Sequence, residues 1–361
     1  MMFKFNDLTQ VHLEISNNCQ ASCPMCSRNI NGGGINPLIV NRDWTLEQFK
    51  IIMNPEVLTQ IDGFYLCGTF GDPMMNNDLL DMCRYAKEIK TDIRIHMHTN
   101  GGARKAEWWA ELAKVLPADH MVTFGLDGLA DTNHLYRVGT NFDTIIRNAK
   151  SFIAAGGQAE WAFIKFKHNE HQVEEAQQLA KALGFSRFNL KASSRFIIEP
   201  RVKVVNRQGE VTHYIEPSTD TTMKFIDKKA IDNYKQIVKD AVIECQVLKT
   251  KEVYIDAYGD LYACCWLANT PYTHISEDAS FEVRKKIKEQ HENMVAQLGE
   301  VNILKRSIKD IIDSPEYQNI WTDMWSGENK NIICARSCGK HPETEISKCS
   351  DQFLETISLD E

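Results

Sequence analysis

The apolar positions of the first half of the chain follow two alternating periods. Runs with a period of two residues predict strands, and longer runs with apolar residues at i, i+3, i+4 and i+7 predict amphipathic helices. Six predicted strands alternate with helices at a spacing of roughly 30 residues, as in parallel βα units. The strands cover residues 11–15, 63–67, 93–98, 121–126, 161–167 and 187–192. Because the series is too short for eight units, we predict an α/β fold with a partial (β/α)6 barrel of the TIM type.

The pattern changes after residue 195. Alternating segments at 202–205 and 211–215 flank the turn 206–209, which predicts a β-hairpin. A chain of 361 residues exceeds what a single hydrophobic core usually serves. We therefore predict a barrel at 1–195, a bridging hairpin or insertion at 196–240, and a C-terminal α+β auxiliary unit at 241–361.

Composition narrows the class of protein. Apolar content of 43% and a net charge of -8 are those of a globular protein without a broad surface for nucleic acid. No apolar run approaches the roughly 18 residues of a membrane span, and the N-terminus lacks the apolar core of a signal peptide. We expect a cytoplasmic protein with neither membrane nor nucleic acid as partner. In that reducing compartment, eleven cysteines are expected to bind metal or do chemistry rather than form disulfides.

Three cysteines follow the first predicted strand directly. Cys19, Cys23 and Cys26 have the spacing C-x3-C-x2-C, and no histidine lies within the next ten residues. The spacing suits a [4Fe-4S] cluster that is bound through three irons and leaves the fourth iron open to an outside ligand. A structural zinc site needs four ligands, so it fits the triplet less well. Zinc and three buried core cysteines remain the alternatives.

The cysteine loop resembles that of the radical SAM superfamily, in which three cysteines follow the first barrel strand. The resemblance implies that S-adenosylmethionine (SAM) chelates the open iron, and that one-electron reduction cleaves it to methionine and a 5'-deoxyadenosyl radical. Met25 stands where the family usually has an aromatic residue and is expected to lie at the cofactor. The resemblance also implies an electron donor of the flavodoxin or ferredoxin type.

Further turns resemble the SAM-binding motifs of this family, and each follows a predicted strand. Gly71-Asp72-Pro73 resembles the G-E-P turn, which implies contact with the methionyl amino group, and Thr99-Asn100-Gly101 resembles the T-N-G turn. Asp127 lies in a turn similar to S-L-D-G, with Gly125 where serine is usual. Arg137 matches an arginine that the resemblance places at the SAM carboxylate. Singly, each turn is an ordinary loop former; their order and strand positions favour the joint interpretation.

A second group of cysteines lies in the last third of the chain and comprises Cys245, Cys264, Cys265, Cys334, Cys338 and Cys349. The spacing C-x13-G-x4-C, with the later cysteines, resembles the SPASM and twitch auxiliary domains of radical SAM enzymes. The resemblance favours a second [4Fe-4S] cluster held by Cys245, Cys264, Cys334 and Cys338. Cys265 or Cys349 could supply a ligand instead, and four thiolates would also suit a closed zinc site.

The resemblance therefore predicts an enzyme that abstracts a hydrogen atom from a substrate at the barrel mouth, with a peptide or protein as the leading substrate class. A twitch-type dehydrogenase or rearrangement enzyme acting on a small carbohydrate or nucleotide-like molecule is the alternative. A non-catalytic iron-sulfur or zinc scaffold would explain the cysteines but not the ordered turns. Candidates for a catalytic group are Cys265 and, as acid or base, His96, His98 and Asp256.

Overall fold

All six predicted barrel strands are present, and the first five are each followed by a helix. The computed structural model describes residues 2–193, 196, 201–219, 234–272, 281–327, 330–340 and 353–359. The barrel strands are β1 (Gln10–Leu13), β2 (Gly63–Leu66), β3 (Arg94–Thr99), β4 (His120–Gly125), β5 (Ala159–Lys165) and β6 (Arg187–Ala192). The helices between them are α1 (Leu46–Ile52), α2 (Pro55–Gln60), α3 (Leu79–Ile89), α4 (Ala106–Val115), α5 (Asn133–Tyr136), α6 (Phe142–Ala154) and α7 (Val173–Leu183). Neighbouring strands from β1 to β6 pair in parallel, which confirms the α/β class and the partial barrel.

Local sequence signals fix several helix ends. Thr45 caps α1: its hydroxyl accepts a hydrogen bond from the Gln48 amide, and the Gln48 side chain accepts one from the Thr45 amide. This is the capping box that the sequence predicts. Asn141 caps α6 in the same way through the Thr144 amide. Gly184 ends α7 in the left-handed conformation, with φ at 85°.

The two faces of the barrel strands differ in polarity. On the outer face, aromatic side chains pack against the helices, with the Trp109 and Phe124 rings 5.1 Å apart. The inner face is polar: the His12 ring lies 4.9 Å from Tyr65, and Tyr65 lies 5.2 Å from His98. We call this inner face the lumen; its polar residues include His12, Tyr65, Cys67, His98, Glu160 and Lys191.

The predicted hairpin is present as β7 (Val202–Val205) and β8 (Val211–Ile215), and it packs on the first cysteine loop. The Val205 amide donates a hydrogen bond to the Asn31 carbonyl at 2.9 Å. A Cβ on Gly33 would lie 2.8 Å from the Asn206 carbonyl oxygen, so this close approach requires glycine. Val204 and Ile215 share a buried apolar cluster with Cys23.

The C-terminal third adds strands to both edges of the barrel sheet. Its elements are α8 (Tyr234–Asp240), β9 (Val242–Ile243), α9 (Gln246–Thr250), β10 (Glu252–Ile255), β11 (Leu261–Tyr262), α10 (Cys265–Ala268), α11 (Phe281–Leu298), α12 (Ile308–Ile312), α13 (Pro315–Trp325), α14 (Ile332–Cys338), β12 (Gly339–Lys340) and β13 (Phe353–Ser358). In the described residues the main sheet has nine strands in the order β11-β10-β1-β2-β3-β4-β5-β6-β13. β10 runs parallel to β1, and β13 runs antiparallel to β6. The domain boundaries at 195 and 240 stay a prediction. None of the described helices combines the length and apolar character needed to cross a membrane.

Candidate active site

The first cysteine loop is a coil held to its surroundings by backbone hydrogen bonds. The Ser22 amide donates to the Val138 carbonyl at 2.7 Å, and the Cys26 amide donates to the Cys23 carbonyl at 3.1 Å. The buried Arg28 guanidinium donates to the Asn17 carbonyl and so fixes the base of the loop. The loop therefore presents its cysteines at the carboxyl end of β1, where the functional loops of a parallel barrel gather.

The three loop thiols lie within electrostatic reach of one another. Burial is the main reason why the pKa of Cys19 is raised, and the Asp72 carboxylate and the other two thiols add to it. Burial also raises the pKa of Cys23 to about 11, although the Arg137 guanidinium lowers it. A cluster bound here would therefore have to displace thiol protons, as is general for thiolate ligands.

The donor set fits a cubane cluster, whose cysteine ligands surround a larger body than a single ion. Among the residues that the structure describes, no three histidine, cysteine or carboxylate side chains converge on a single-ion site. In a radical SAM cluster, Cys19, Cys23 and Cys26 would each bind one iron. The assignment of these ligands stays a prediction.

The Asp72 carboxylate joins two of the predicted SAM turns. It accepts hydrogen bonds from the Thr99 hydroxyl at 2.9 Å, from the Asn100 amide at 2.8 Å and from the Asn100 side-chain amide at 2.6 Å. The Asn100 side chain also lies 3.5 Å from the Cys19 sulfur. One buried network thus connects Gly71-Asp72-Pro73, Thr99-Asn100-Gly101 and the cysteine loop.

Glu14, directly after β1, also holds the turn that contains Gly71, and it was not among the site residues predicted from the sequence. Its carboxylate accepts hydrogen bonds from the Phe70 amide at 2.7 Å, the Gly71 amide at 2.9 Å and the Tyr254 hydroxyl. Burial raises its pKa to about 7 even though these donors lower it. A Cβ on Gly71 would lie 2.0 Å from the Ser16 carbonyl oxygen, so the turn requires glycine there. The signal in the sequence is an acidic residue at one of the two polar positions of the alternating segment 11–15.

The position of the Arg137 side chain explains why residue 125 is glycine. The Arg137 guanidinium donates to the buried Asp127 carboxylate at 2.6 Å and lies close enough to the Cys23 thiol to lower its pKa. The other Asp127 oxygen accepts from the Ile164 amide at 2.6 Å. A Cβ on Gly125 would lie 2.6 Å from an Arg137 guanidinium nitrogen. The arginine therefore fills the space that a serine at position 125 would need.

The remaining candidates fall in different places. Met25, within the cysteine loop, packs against the apolar cluster that contains Cys23. Pro73 is buried at the start of a 3-10 turn. His98 lies in the lumen, where burial and the nearby Lys191 lower its pKa. His96 lies 3.9 Å from Asp119, which precedes β4, and so is remote from the carboxyl end of the barrel.

Asp256 has a structural role in the turn between β10 and β11. Its carboxylate accepts from the Tyr258 and Asp260 amides at 2.9 Å, and burial raises its pKa to about 8. Cys265 is the first residue of α10 and lies within electrostatic reach of the lumen residue Tyr65. It remains a candidate for a catalytic role.

Four cysteines of the second group come together, namely Cys245, Cys264, Cys334 and Cys338. Cys245 and Cys338 share a hydrogen bond, which raises the pKa of Cys245 and lowers that of Cys338. Cys264 is close enough to raise the pKa of both Cys245 and Cys334. Cys349 lies outside the described residues.

The backbone around the second group favours close approach. The two-residue ladder of β9 and β12 pairs Ile243 with Gly339, one position beyond Cys338. A Cβ on Gly339 would lie 2.1 Å from the Ala335 carbonyl oxygen, so glycine is needed at this turn. Cys334 is held at the start of α14, where its amide donates to the Asn331 side chain at 3.1 Å.

A buried hydroxyl supports a sulfur-rich group at this place. Tyr317 is 1% exposed, and within the described part of the chain its hydroxyl has no hydrogen-bond partner. The same hydroxyl lies within electrostatic reach of Cys264 and Cys245. A buried donor without a partner is costly. Sulfides or thiolates of a bound cluster would accept a hydrogen bond from this hydroxyl, so the residues fit the group that the resemblance implies.

Comparison with known proteins gave one family match and many structural matches. Residues 13–180 match the family model described as Radical SAM superfamily. The search of curated proteins found no match to this sequence. Streptococcus suis SuiB bound to S-adenosylmethionine has a TM-score of 0.53 at 15% identity, covering 92% of this chain and 73% of that chain.

Two further solved structures carry peptides. SuiB bound to precursor peptide SuiA has a TM-score of 0.52 at 14% identity, over 92% of this chain and 72% of that chain. Native anSMEcpe with bound AdoMet and Kp18Cys peptide has a TM-score of 0.53 at 13% identity, over 94% of this chain and 92% of that chain. At these identities the likeness concerns the fold.

Proposed function

Because residues 13–180 match the family model described as Radical SAM superfamily, we propose that this chain reductively cleaves SAM at a [4Fe-4S] cluster and abstracts a hydrogen atom from a peptide or protein side chain or backbone. When bound, such a cluster would supply the one-electron chemistry for this cleavage. The observation that carries the proposal is the buried network from Asp72 through Asn100 to the Cys19 sulfur, because it joins the SAM turns to the cluster loop.

The chain's own residues would bind and orient the cofactor. Cys19, Cys23 and Cys26 would hold three irons of the cluster. The turns around Asp72 and Asn100 would receive the methionyl part of SAM. Arg137, already paired with Asp127, would add positive charge on the opposite side of the loop, next to Cys23.

The choice of a peptide as substrate rests on fold similarity. Two of the similar structures, SuiB and anSMEcpe, hold peptides in their crystals. The lumen residue Cys67 lies at the same end of the sheet as the proposed SAM turns. We propose that the substrate enters there, and that Cys245, Cys264, Cys334 and Cys338 hold a second [4Fe-4S] cluster beside it.

The test is SAM cleavage by protein reconstituted with iron and sulfide without oxygen. With dithionite and SAM, we expect 5'-deoxyadenosine by mass spectrometry, and none from Cys23→Ala. Cys83→Ala is the matched control, because Cys83 is a buried thiol of α3 and lies away from both cysteine groups. Intact clusters without 5'-deoxyadenosine would refute the proposal and favour a non-catalytic scaffold.

Substrate class and the second cluster have separate tests. A pool of synthetic peptides is expected to increase 5'-deoxyadenosine formation, and a mixture of monosaccharides and nucleosides is not. The reverse result would favour the small-molecule alternative. The iron content per chain is expected to fall by half in Cys245→Ser and in Cys338→Ser. An unchanged iron content in both variants would refute the second cluster.

A further inference from the structure

Cys67 is a lumen thiol that the proposed function leaves unused. It follows β2 at the carboxyl end of the barrel, directly before the turn that carries Gly71 and Asp72. The His12 ring nitrogen donates to the Cys67 carbonyl at 2.8 Å and fixes the backbone there. The thiol itself lies 4.0 Å from the Gly68 carbonyl oxygen. Its position is therefore defined by contacts on both sides.

Tyr65 pairs with this thiol. The two side chains are two residues apart on the same face of the strand, and the Tyr65 hydroxyl is close enough to the Cys67 sulfur to lower the pKa of that thiol. The Tyr65 ring is held between His12 and His98, with centroid distances of 4.9 and 5.2 Å. The pair is thus a fixed part of the lumen wall.

Cys67 also lies beside the SAM turns. Its thiol is within electrostatic reach of Asp72, the residue that connects those turns to the cysteine loop, and of Lys191 on β6 across the lumen. Cys83 is a useful contrast, because it packs on the inner side of α3 with 0% exposure. Of these two barrel cysteines outside the cluster loop, Cys67 lies in the lumen beside the proposed SAM turns, and Cys83 lies in the hydrophobic core.

The chemical state of the thiol suits homolytic rather than nucleophilic chemistry. Burial raises the pKa of Cys67 to about 11, so the sulfur keeps its proton at neutral pH. A thiol S–H bond is weaker than an aliphatic C–H bond, so a carbon radical takes a hydrogen atom from it readily. A thiolate would instead serve as a nucleophile or metal ligand.

We propose that Cys67 donates a hydrogen atom to carbon radicals formed in the lumen, and that Tyr65 is its positioning residue. The proposal rests on the proposed function, since that reaction supplies the radical. It selects a redox-neutral outcome, in which the substrate carbon regains a hydrogen, over net oxidation of the substrate.

Donation of the hydrogen atom leaves a radical on the protein, which must then be reduced. The Cys67 S–H bond breaks homolytically, a C–H bond forms on the substrate carbon, and a thiyl radical remains on Cys67. One electron from a low-potential iron-sulfur or flavin donor, with one proton delivered through the Tyr65 hydroxyl, restores the thiol. The substrate undergoes no net redox change, and SAM with one electron is consumed to start each turnover.

The test needs no substrate, because the 5'-deoxyadenosyl radical itself can take the hydrogen. Reconstituted protein is incubated with SAM and dithionite in D2O without added thiols, so that Cys67 carries S–D. We expect wild-type 5'-deoxyadenosine to contain one deuterium. We expect that label to be lost in Cys67→Ser, whose O–H bond is too strong to donate, and to be retained in Cys83→Ala.

The outcomes separate the two proposals. Unlabelled 5'-deoxyadenosine from the wild type, or equal labelling in Cys67→Ser, overturns the role of Cys67 while SAM cleavage stands. No 5'-deoxyadenosine from the wild type removes both. Cys67→Ala serves as a second variant if the serine destabilises the lumen, and far-UV circular dichroism verifies the fold of each.

A second readout does not depend on SAM cleavage. Alkylation of Cys67 by iodoacetamide, followed by peptide mass spectrometry, is expected to slow when SAM is bound. Because the Tyr65 hydroxyl lowers the pKa of Cys67, Tyr65→Phe is expected to move the pH profile of alkylation to higher pH. An unmoved profile would refute the positioning role of Tyr65.

Discussion

Replacing Gly125 with serine tests how the site accommodates the Arg137 side chain. In the structure a Cβ on Gly125 would lie 2.6 Å from a guanidinium nitrogen of Arg137 and 3.5 Å from the Thr99 carbonyl oxygen. The second distance is an ordinary contact, so the clash of Gly125→Ser is with the arginine alone. The guanidinium must move, and its 2.6 Å hydrogen bond to Asp127 is then lost or lengthened.

The cost follows from the burial of Asp127. This carboxylate is 0% exposed, and removing the partner of a buried charge costs about 3–5 kcal/mol. Because the arginine can retain part of the interaction, we expect Gly125→Ser to lower the free energy of unfolding by about 3 kcal/mol. In Arg137→Ala the space is open, and the same serine is expected to change stability by less than about 1 kcal/mol. The coupling free energy would then be about 2 kcal/mol.

The assay is urea unfolding of the four proteins of this cycle, followed by far-UV circular dichroism under reducing conditions. The quantity compared is the cost of the serine with and without Arg137. A serine that costs the same in both backgrounds would refute the steric argument. A stable Gly125→Ser protein with the Arg137 pair intact in a crystal structure would do the same.

Three other predictions concern the same network and the second cysteine group. Asp72→Asn leaves at least one buried N–H group without its acceptor, so the free energy of unfolding should fall by about 2–4 kcal/mol in urea unfolding. As a control, Asp81→Asn at an exposed position should lower the free energy of unfolding by less than about 0.5 kcal/mol. Equal losses in the two variants would contradict the network. The pKa of Glu14 is raised from 4.5 to about 7, so its stabilising contribution is complete below pH 4.5 and is lost as the pH rises through 7. The loss is about 3 kcal/mol, and Glu14→Gln should flatten the pH dependence of unfolding; an unchanged slope would count against a buried neutral carboxyl. If the proposed second cluster is present, Tyr317→Phe should lower its reduction potential in an electrochemical titration followed by EPR, at unchanged iron content, because hydrogen bonds to cluster sulfur raise the potential. An unchanged potential would refute the donor role of Tyr317.

Much of the barrel could be predicted because its signals are local. Strands and helices alternate with clear periods, and the Thr45 capping box depends on residues three positions apart. The turns at Asp72, Asn100 and Asp127 follow strands, so their meeting at one edge follows from parallel topology. The structure confirms that Asp72 and Asn100 are in direct contact.

The rest depends on contacts that no local pattern reports. β13 pairs with β6 antiparallel, and nothing in the sequence of either strand selects the other. Glu14 could not be singled out because an acidic residue in a strand is usually solvated, and its three donors come from residues 70, 71 and 254. The absence of serine at position 125 became intelligible only with the Arg137 side chain in place.

The pairing of β1 with β10 has a consequence for the folding of this chain during synthesis. Gln10 and Glu252 are register partners 242 positions apart, so β1 has an open edge until the last third of the chain has left the ribosome. The strand that leads into Cys19 is therefore among the first segments made and among the last to gain all its backbone hydrogen bonds. A nascent or truncated chain ending before residue 252 would expose that edge to other strands, so delivery of iron and sulfide would have to compete with aggregation.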